Sequence, residues 1–245
     1  MDNTLLVSLS HQLASYRAMD VIANNLANMS TPAYKREAVQ FKEYVETLPT
    51  TEGQTSPQTL SFVQDAGVLR DMREGQLTRT GAPFDMAING KGYFAVQTAN
   101  GTRYTRNGHF NLNAQGQLVT DGGNPVLGEG GPITVTPDDG DIHVARDGTI
   151  TGKQGQLGKL RLVDFANPSS LTKEGSSLYS TSDTPQPVTG SAIEQGMIET
   201  SNVQPVVEMS HMLEVMRNYQ ATATLTKSQE DLMRQAIDKL GSVPA

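Results

Sequence analysis

The chain contains no cysteine and no tryptophan, and only six phenylalanines and seven tyrosines among its 245 residues. Without cysteine there are no disulfides, no thiolate metal ligands and no cysteine nucleophile. A hydrophobic fraction of 36% is lean for one compact core of this length, so an extended or modular shape is expected. There is no basic excess: the formal net charge is −7, and nucleic acid is not an expected partner. No apolar run approaches the length of a membrane span, so no membrane insertion is expected. Met1-Asp2-Asn3 is not a basic leader and Leu5-Leu6-Val7 is too short for a signal-peptide core, so no cleaved signal peptide is expected.

Signatures of chemistry are also missing. Gly90-Lys91-Gly92 with Ala95 fits a dinucleotide fingerprint, but Tyr93-Phe94-Ala95-Val96 after it is strand-like where the fingerprint needs a helix. A hairpin turn is the better reading. Gly158-Lys159-Leu160 lacks the Ser or Thr of a phosphate loop. Asp138, Asp139, Asp141 and Asp147 lack the later Gly and Glu of a calcium loop and read as a solvated turn. His11, His109, His143 and His211 are not at ligand spacing, and His109 and His143 fall on the polar phase of strands. No catalytic, cofactor-binding or metal-ligating residue is assigned, and no cofactor is expected.

What is present is unevenly distributed. Nineteen of the 23 glycines lie between Gly75 and Gly190. The N-terminal end keeps a helical rhythm through Leu5, Leu6, Leu9, Leu13, Tyr16, Met19, Ala23 and Leu26 until Thr31-Pro32 stops it. The C-terminal end starts at Pro205 and steps by three and four through Val206, Met209, Leu213, Met216, Gln220 and Ala223, a heptad-like seam. Leu232, Met233, Ile237 and Leu240 continue it, and Gly241 is the expected stop. The centre alternates at His109–Asn113, Ile133–Thr136 and Asp141–Val144, with Asn107-Gly108 and Asp147-Gly148 as hairpin dipeptides. The expected class is α+β: N- and C-terminal helices forming a coiled-coil-like assembly domain, and a central all-β module joined by extended connectors. The boundaries are an N-terminal helix and turn at 1–34, a connector at 35–74, the β domain at 75–190, a connector at 191–204 and a C-terminal helix at 205–245. Each helix has one apolar stripe to bury, either against the other within the chain or against other copies.

Three motifs carry a resemblance. Met19-Asp20-Val21-Ile22-Ala23-Asn24-Asn25-Leu26-Ala27-Asn28 with Ser30-Thr31-Pro32 resembles the N-terminal signature of bacterial flagellar basal-body rod and hook axial proteins. Asp85–Phe94 and Tyr104–Gly108 resemble their shared central segment, and Ser201-Asn202-Val203, Glu208-Met209 and Arg217-Asn218-Tyr219 their C-terminus. The start, the length and the single central module are most similar to a proximal-rod subunit, with a distal-rod or hook-family protein as the alternative. The resemblance implies a non-enzymatic drive-shaft subunit in the basal body, spanning the periplasm. Copies would stack helically around a channel, terminal helices inside and β module outside. The implied partners are other copies, neighbouring flagellar rod proteins and the flagellar type III export apparatus. The family loop often reads Thr-Pro-Gly-Phe. Here Ala33-Tyr34 stands in the last two places, and alanine argues against a left-handed turn there.

The assembly contacts expected on this basis are Leu6, Leu9, Leu13, Tyr16, Ala23, Asn24, Asn25, Ala27, Asn28, Thr31 and Pro32 at one end. At the other they are Val206, Met209, Leu213, Met216 and Tyr219. Asn24 and Asn28, four apart on one helical face, are expected to fix register between copies, because a buried amide is costly unless paired. Two other readings compete. A peptidoglycan-processing enzyme needs two acids in a cleft, which the sequence does not name. A soluble β-rich binding module would pair its helices within one chain.

Overall fold

The computed structural model describes residues 2–47 and 59–241. It divides into two compact units. A helical unit takes residues 1–27, 37–70 and 204–245, and a β unit takes 28–36 and 71–203.

In the helical unit α1 spans Asp2–Ala27 and α2 spans Pro205–Gly241. Gly241 is thus the last helical residue, not a stop beyond the helix, and the side chain of Leu240 lies outside the described residues. The helices pack on one another within the chain. They run antiparallel: Asn25 meets Glu208, and Gln12 meets Thr226. Apart from Pro205 and Ala223, the described residues of α2 that lose exposure are Glu208, Met212, Val215, Tyr219, Thr222, Thr226, Gln229 and Met233, in steps of four and three. On α1 the matching row is Leu5, Ser8, Gln12, Ser15, Met19, Ile22 and Leu26. This is a heptad seam, but much of it is polar or small. It is not the row that hydrophobicity alone marks on α2.

A second face of α1 packs on a β-ribbon. Strands β1 (Glu37–Thr47) and β2 (Thr59–Arg70) pair antiparallel from Glu37↔Arg70 to Thr47↔Thr59, with a bulge between Gln40 and Phe41. The ribbon replaces most of the connector expected at 35–74. Its strands hold the β-formers Val39, Phe41, Tyr44, Val45, Phe62 and Val63. The Thr/Ser/Gln/Pro composition that suggested a connector sits mainly at 48–58, outside the described residues. A lone two-stranded ribbon is marginal in water. Here α1 packs on one side of it, the Val63 N–H donating to Ser10 Oγ and Arg17 pairing with Asp65.

In the β unit, a six-stranded sheet centres on Tyr93–Thr98 and Gly101–Thr105. Strand Tyr93–Thr98 is buried on both faces, which explains its continuous apolar run. Phe94 and Val96 join a core with Met86, Ile88, Phe110, Leu118 and Ile150, while Tyr93 and Ala95 join Tyr104, Phe165 and Tyr179. Gly90-Lys91-Gly92 is not a hairpin turn, because Met86–Asn89 and Tyr93–Thr98 belong to different sheets. Nor does Asn107-Gly108 form one. Gly108 lies so close to Met86 that a β-carbon would sit 1.5 Å from the Met86 carbonyl oxygen. Ile133–Thr136 alternates in burial but forms only one bridge, Gln117↔Thr134. Asp139 is buried, its carboxylate accepting from the Thr136 N–H and hydroxyl, so it leaves the solvated acidic turn. His109 is half-buried against Asp85, 2.6 Å away.

The segment expected as the connector 191–204 is also paired. Ala192–Gln195 adds to Met86–Asn89 and Met197–Glu199 adds to Leu77–Arg79. The glycine count missed these strands because they are short and flanked by Gly190 and Gly196. Ending a fragment at Gly190 removes fully buried Ile193, a loss of about 2–5 kcal/mol for a large buried aliphatic. Circular dichroism melts should place a 75–190 fragment well below a 71–203 fragment. Equal melting temperatures would mean that the two strands add nothing.

Candidate functional site

Three sets of residues have the geometry of a site. The first is a buried node in the helical unit. Asn25 is fully buried near the end of α1. Its Oδ1 accepts from the Glu37 N–H at 2.9 Å, and its Nδ2 donates to the Glu37 carbonyl at 2.7 Å. The same Nδ2 donates to Glu208 Oε2 at 3.0 Å. One amide thereby fixes the start of the ribbon and the first turn of α2 against α1. Asn25, expected among the contacts between copies, has its surface used inside the chain.

The second set lies in the β unit. Glu199 is buried between two cations, Lys35 at 2.6 Å and Arg106 at 2.8 Å, and its Oε1 also accepts from the Gly75 N–H at 2.9 Å. Lys35 Nζ donates to the Arg73 carbonyl, and the Arg106 guanidinium reaches the carbonyls of Gly90 and Gly92 at 3.0 Å. Burial alone raises the Glu199 carboxyl, but Arg106, Lys35 and the Gly75 N–H outweigh it and hold the group below the usual carboxylate range. Burial lowers the Lys35 ammonium, and Glu199 only partly offsets this because Arg106 lies nearby. Gly75 has to be glycine: a β-carbon there would lie 1.9 Å from the Thr200 carbonyl oxygen.

The signature turn is tied to the same place. The Ala33 N–H donates to the Glu199 carbonyl at 2.8 Å. Asn202 Oδ1 accepts from the Arg36 N–H at 2.7 Å, while its Nδ2 donates to the Asp71 carbonyl at 2.9 Å. Lys173 sits over the Tyr34 ring. Ala33 has φ 56, so the left-handed turn forms despite the alanine, at a cost of about 1–2 kcal/mol. Its neighbours' bonds over-determine the conformation. Thr31 and Pro32 are half-buried in this turn, and Thr31 Oγ1 donates to Asn28 Oδ1. Asn28 falls after Ala27, the last residue of α1, so Asn24 and Asn28 do not share a helical face.

The third set is exposed. Leu6, Leu9, Leu13, Tyr16, Val206, Met209, Leu213 and Met216 are 40–73% exposed. On α1 the row continues through Asp20, Ala23 and Ala27, all exposed, with exposed Asn24 beside it. Tyr219 does not belong with the α2 row. It is half-buried on the seam that packs against α1. The residues that reasoning from sequence missed are Lys35, Arg106, Glu199, Asn202 and Glu208. Glu199 and Glu208 are ordinary acids in the sequence, and only the fold shows what they meet.

Two predictions follow from these geometries. Glu199→Gln leaves two buried cations without their anion and should cost about 3–5 kcal/mol, whereas Lys35→Met keeps the Arg106–Glu199 pair and should cost less. A carboxyl with a depressed folded pKa contributes stability above its unfolded pKa of about 4.3 and loses it as pH falls through the folded value. The gap between wild type and Glu199→Gln in urea melts should therefore narrow below about pH 4. Equal melts for wild type and Glu199→Gln at pH 7 would sink the assignment. Ala33→Gly should stabilise the protein by up to about 1 kcal/mol by relieving the left-handed alanine, and a lowered melting temperature would contradict this.

Comparison with known proteins is consistent along the whole chain. "Flagella basal body rod protein" matches residues 5–35, "Flagellar hook protein FlgE/F/G D1 domain" residues 87–152, and "Flagellar basal body rod FlgEFG protein C-terminal" residues 194–239. The flagellar basal-body rod protein FlgF of Caulobacter vibrioides is 41% identical over 247 residues, covering 99% of this chain and 100% of that protein. FlgF of Mesorhizobium japonicum is 35% identical, covering 99% of each chain. The rod protein FlgG of Bacillus subtilis is 32% identical over 90% of this chain and 92% of its own. Three motif regions in order, and full-length relatives at 41% and 35% identity, show that this chain belongs to the flagellar basal-body rod protein family.

Proposed function

We propose that the chain assembles with copies of itself and with neighbouring rod proteins through the exposed rows of α1 and α2. It is a structural flagellar basal-body rod protein and not an enzyme. The observation that carries the assembly reading is that α1 packs on α2 and on one face of the ribbon without these rows. Leu6, Leu9, Leu13 and Tyr16, and Val206, Met209, Leu213 and Met216, are left outside at heptad spacing. Large apolar side chains aligned on a surface mark an interaction site. Ala23 and Ala27 extend the α1 row with side chains small enough for close helix approach. Contacts between unlike surfaces of identical subunits do not close on themselves and propagate into a helical assembly.

A place in the proximal rod is supported by the full-length FlgF relatives, against the shorter coverage of the FlgG relatives. In that place the subunit would pass torque from motor to hook after leaving the cell through the flagellar type III export apparatus. No helix among the described residues is long and apolar enough to cross a membrane.

Leu213 is 56% exposed, so Leu213→Asp should leave monomer stability within about 0.5 kcal/mol of wild type. It should still abolish swimming in soft agar and incorporation into purified basal bodies. Wild-type swimming would mean that the α2 row is not an interface.

A further inference from the structure

Methionine is concentrated near the start of α2. Met209, Met212 and Met216 fall within eight residues, and they divide between two faces of the helix. Met212 is half-buried on the row that packs against α1. Met209 and Met216 lie one heptad apart on the outer row, with Leu213 between them, and are 47% and 40% exposed. Met86 in the β unit is, by contrast, 1% exposed. A thioether at the surface is open to two-electron oxidants, and a buried one is shielded.

Hypochlorous acid attacks thiols and thioethers faster than other side chains, and this chain has no cysteine to take it first. The sulfur lone pair displaces hydroxide from chlorine, and water then displaces chloride from the chlorosulfonium ion. In the net change the thioether is oxidised by two electrons to a sulfoxide. Chlorine is reduced to chloride and one proton is released. A flexible apolar side chain becomes a polar one, and sulfoxide reductases can reverse the change. We propose that Met209 and Met216 form a reversible oxidation site for hypochlorous acid, and that their sulfoxides bar an unassembled subunit from the rod. This rests on the outer row of α2 being an assembly contact, as read above. A polar oxygen buried without a donor weakens a contact by about tenfold or more, and the site carries two. Neither side chain is packed in the helix pair, so the oxidised monomer keeps its fold. A neighbour that covers the row also shields the sulfurs, so only subunits not yet incorporated are sorted.

Limiting hypochlorous acid on the purified full chain should give several-fold more sulfoxide at Met209 and Met216 than at Met86, read by peptide mass spectrometry. Circular dichroism should stay that of the untreated chain, and methionine sulfoxide reductases should restore the original mass. Oxidation of Met86 to the same extent, or loss of the circular dichroism signal, overturns the inference. In cells, the chain is induced during sublethal exposure to hypochlorous acid, and its amount in purified basal bodies is compared with an untreated culture. Wild type should fall several-fold. Met209→Leu combined with Met216→Leu, judged against its own untreated culture, should fall much less, because leucine has no sulfur to oxidise. Equal falls overturn the inference. Met209→Gln combined with Met216→Gln puts permanent polar groups on the row and separates the two levels. If the glutamine variant is missing from basal bodies while wild type and the leucine variant fall equally, the oxidation site is wrong and the assembly reading stands. If the glutamine variant incorporates like wild type, the α2 row is not an interface and both fall.

Discussion

The carboxylate of Glu199 is the interaction on which the β unit depends. A charge taken out of water must be answered by opposite charge and by hydrogen bonds, and Glu199 is answered by Lys35, Arg106 and the Gly75 N–H. Those partners come from the signature turn, from the far end of the central sheet and from the segment entering Leu77–Arg79. An apolar residue at 199 could fill the same space without choosing among them. The charge makes the choice, because every other arrangement leaves a buried cation unpaired. The helical unit uses an uncharged version of the same device: Asn25 spans the Glu37 backbone and Glu208, and only one register of helix, ribbon and helix satisfies all three bonds.

Much of the fold was readable from periodicity, and the failures have physical causes. Both helices were legible, α1 to within a residue or two at each end. Which face of α2 meets α1 was not, since the covered row contains Glu208, Thr222, Thr226 and Gln229 while the exposed row holds Val206, Met209 and Leu213. Hydrophobicity points outward here because the strongest apolar row is left uncovered. The asparagines show the same limit. Asn24, Asn25 and Asn28 are alike in a string of letters, yet α1 is covered on two faces and only position 25 looks into both. The strands at 192–195 and 197–199 were missed because short paired strands between glycines look like linkers until their partners are known, and the ribbon because the Thr/Ser/Gln/Pro stretch between its strands reads as a connector. Ala33 was misjudged because local propensity gave way to the hydrogen bonds that tie the turn to Glu199 and Asn202.

The distribution of apolar side chains in the helical unit is the reverse of a self-contained globule. Its seam is polar in the middle, where Gln12 donates to Thr226 Oγ1 at a stretched 3.4 Å. Its outer rows are apolar. A subunit built this way gains little by tightening its own helix pair and much by covering the outside, which suits a protein whose working state is a polymer.

The positions of Glu199 and Glu208 also have a consequence in time. A ribosome delivers Asn25 and Lys35 in the first sixth of the chain and their carboxylate partners only in the last fifth. During most of synthesis neither node has its acid, and the strands at 77–79 and 86–89 lack their outer neighbours. The contacts that close each unit are therefore among the last the nascent chain can make. A chain cut short upstream of residue 192 possesses most of its hydrophobic residues and neither of its fastenings.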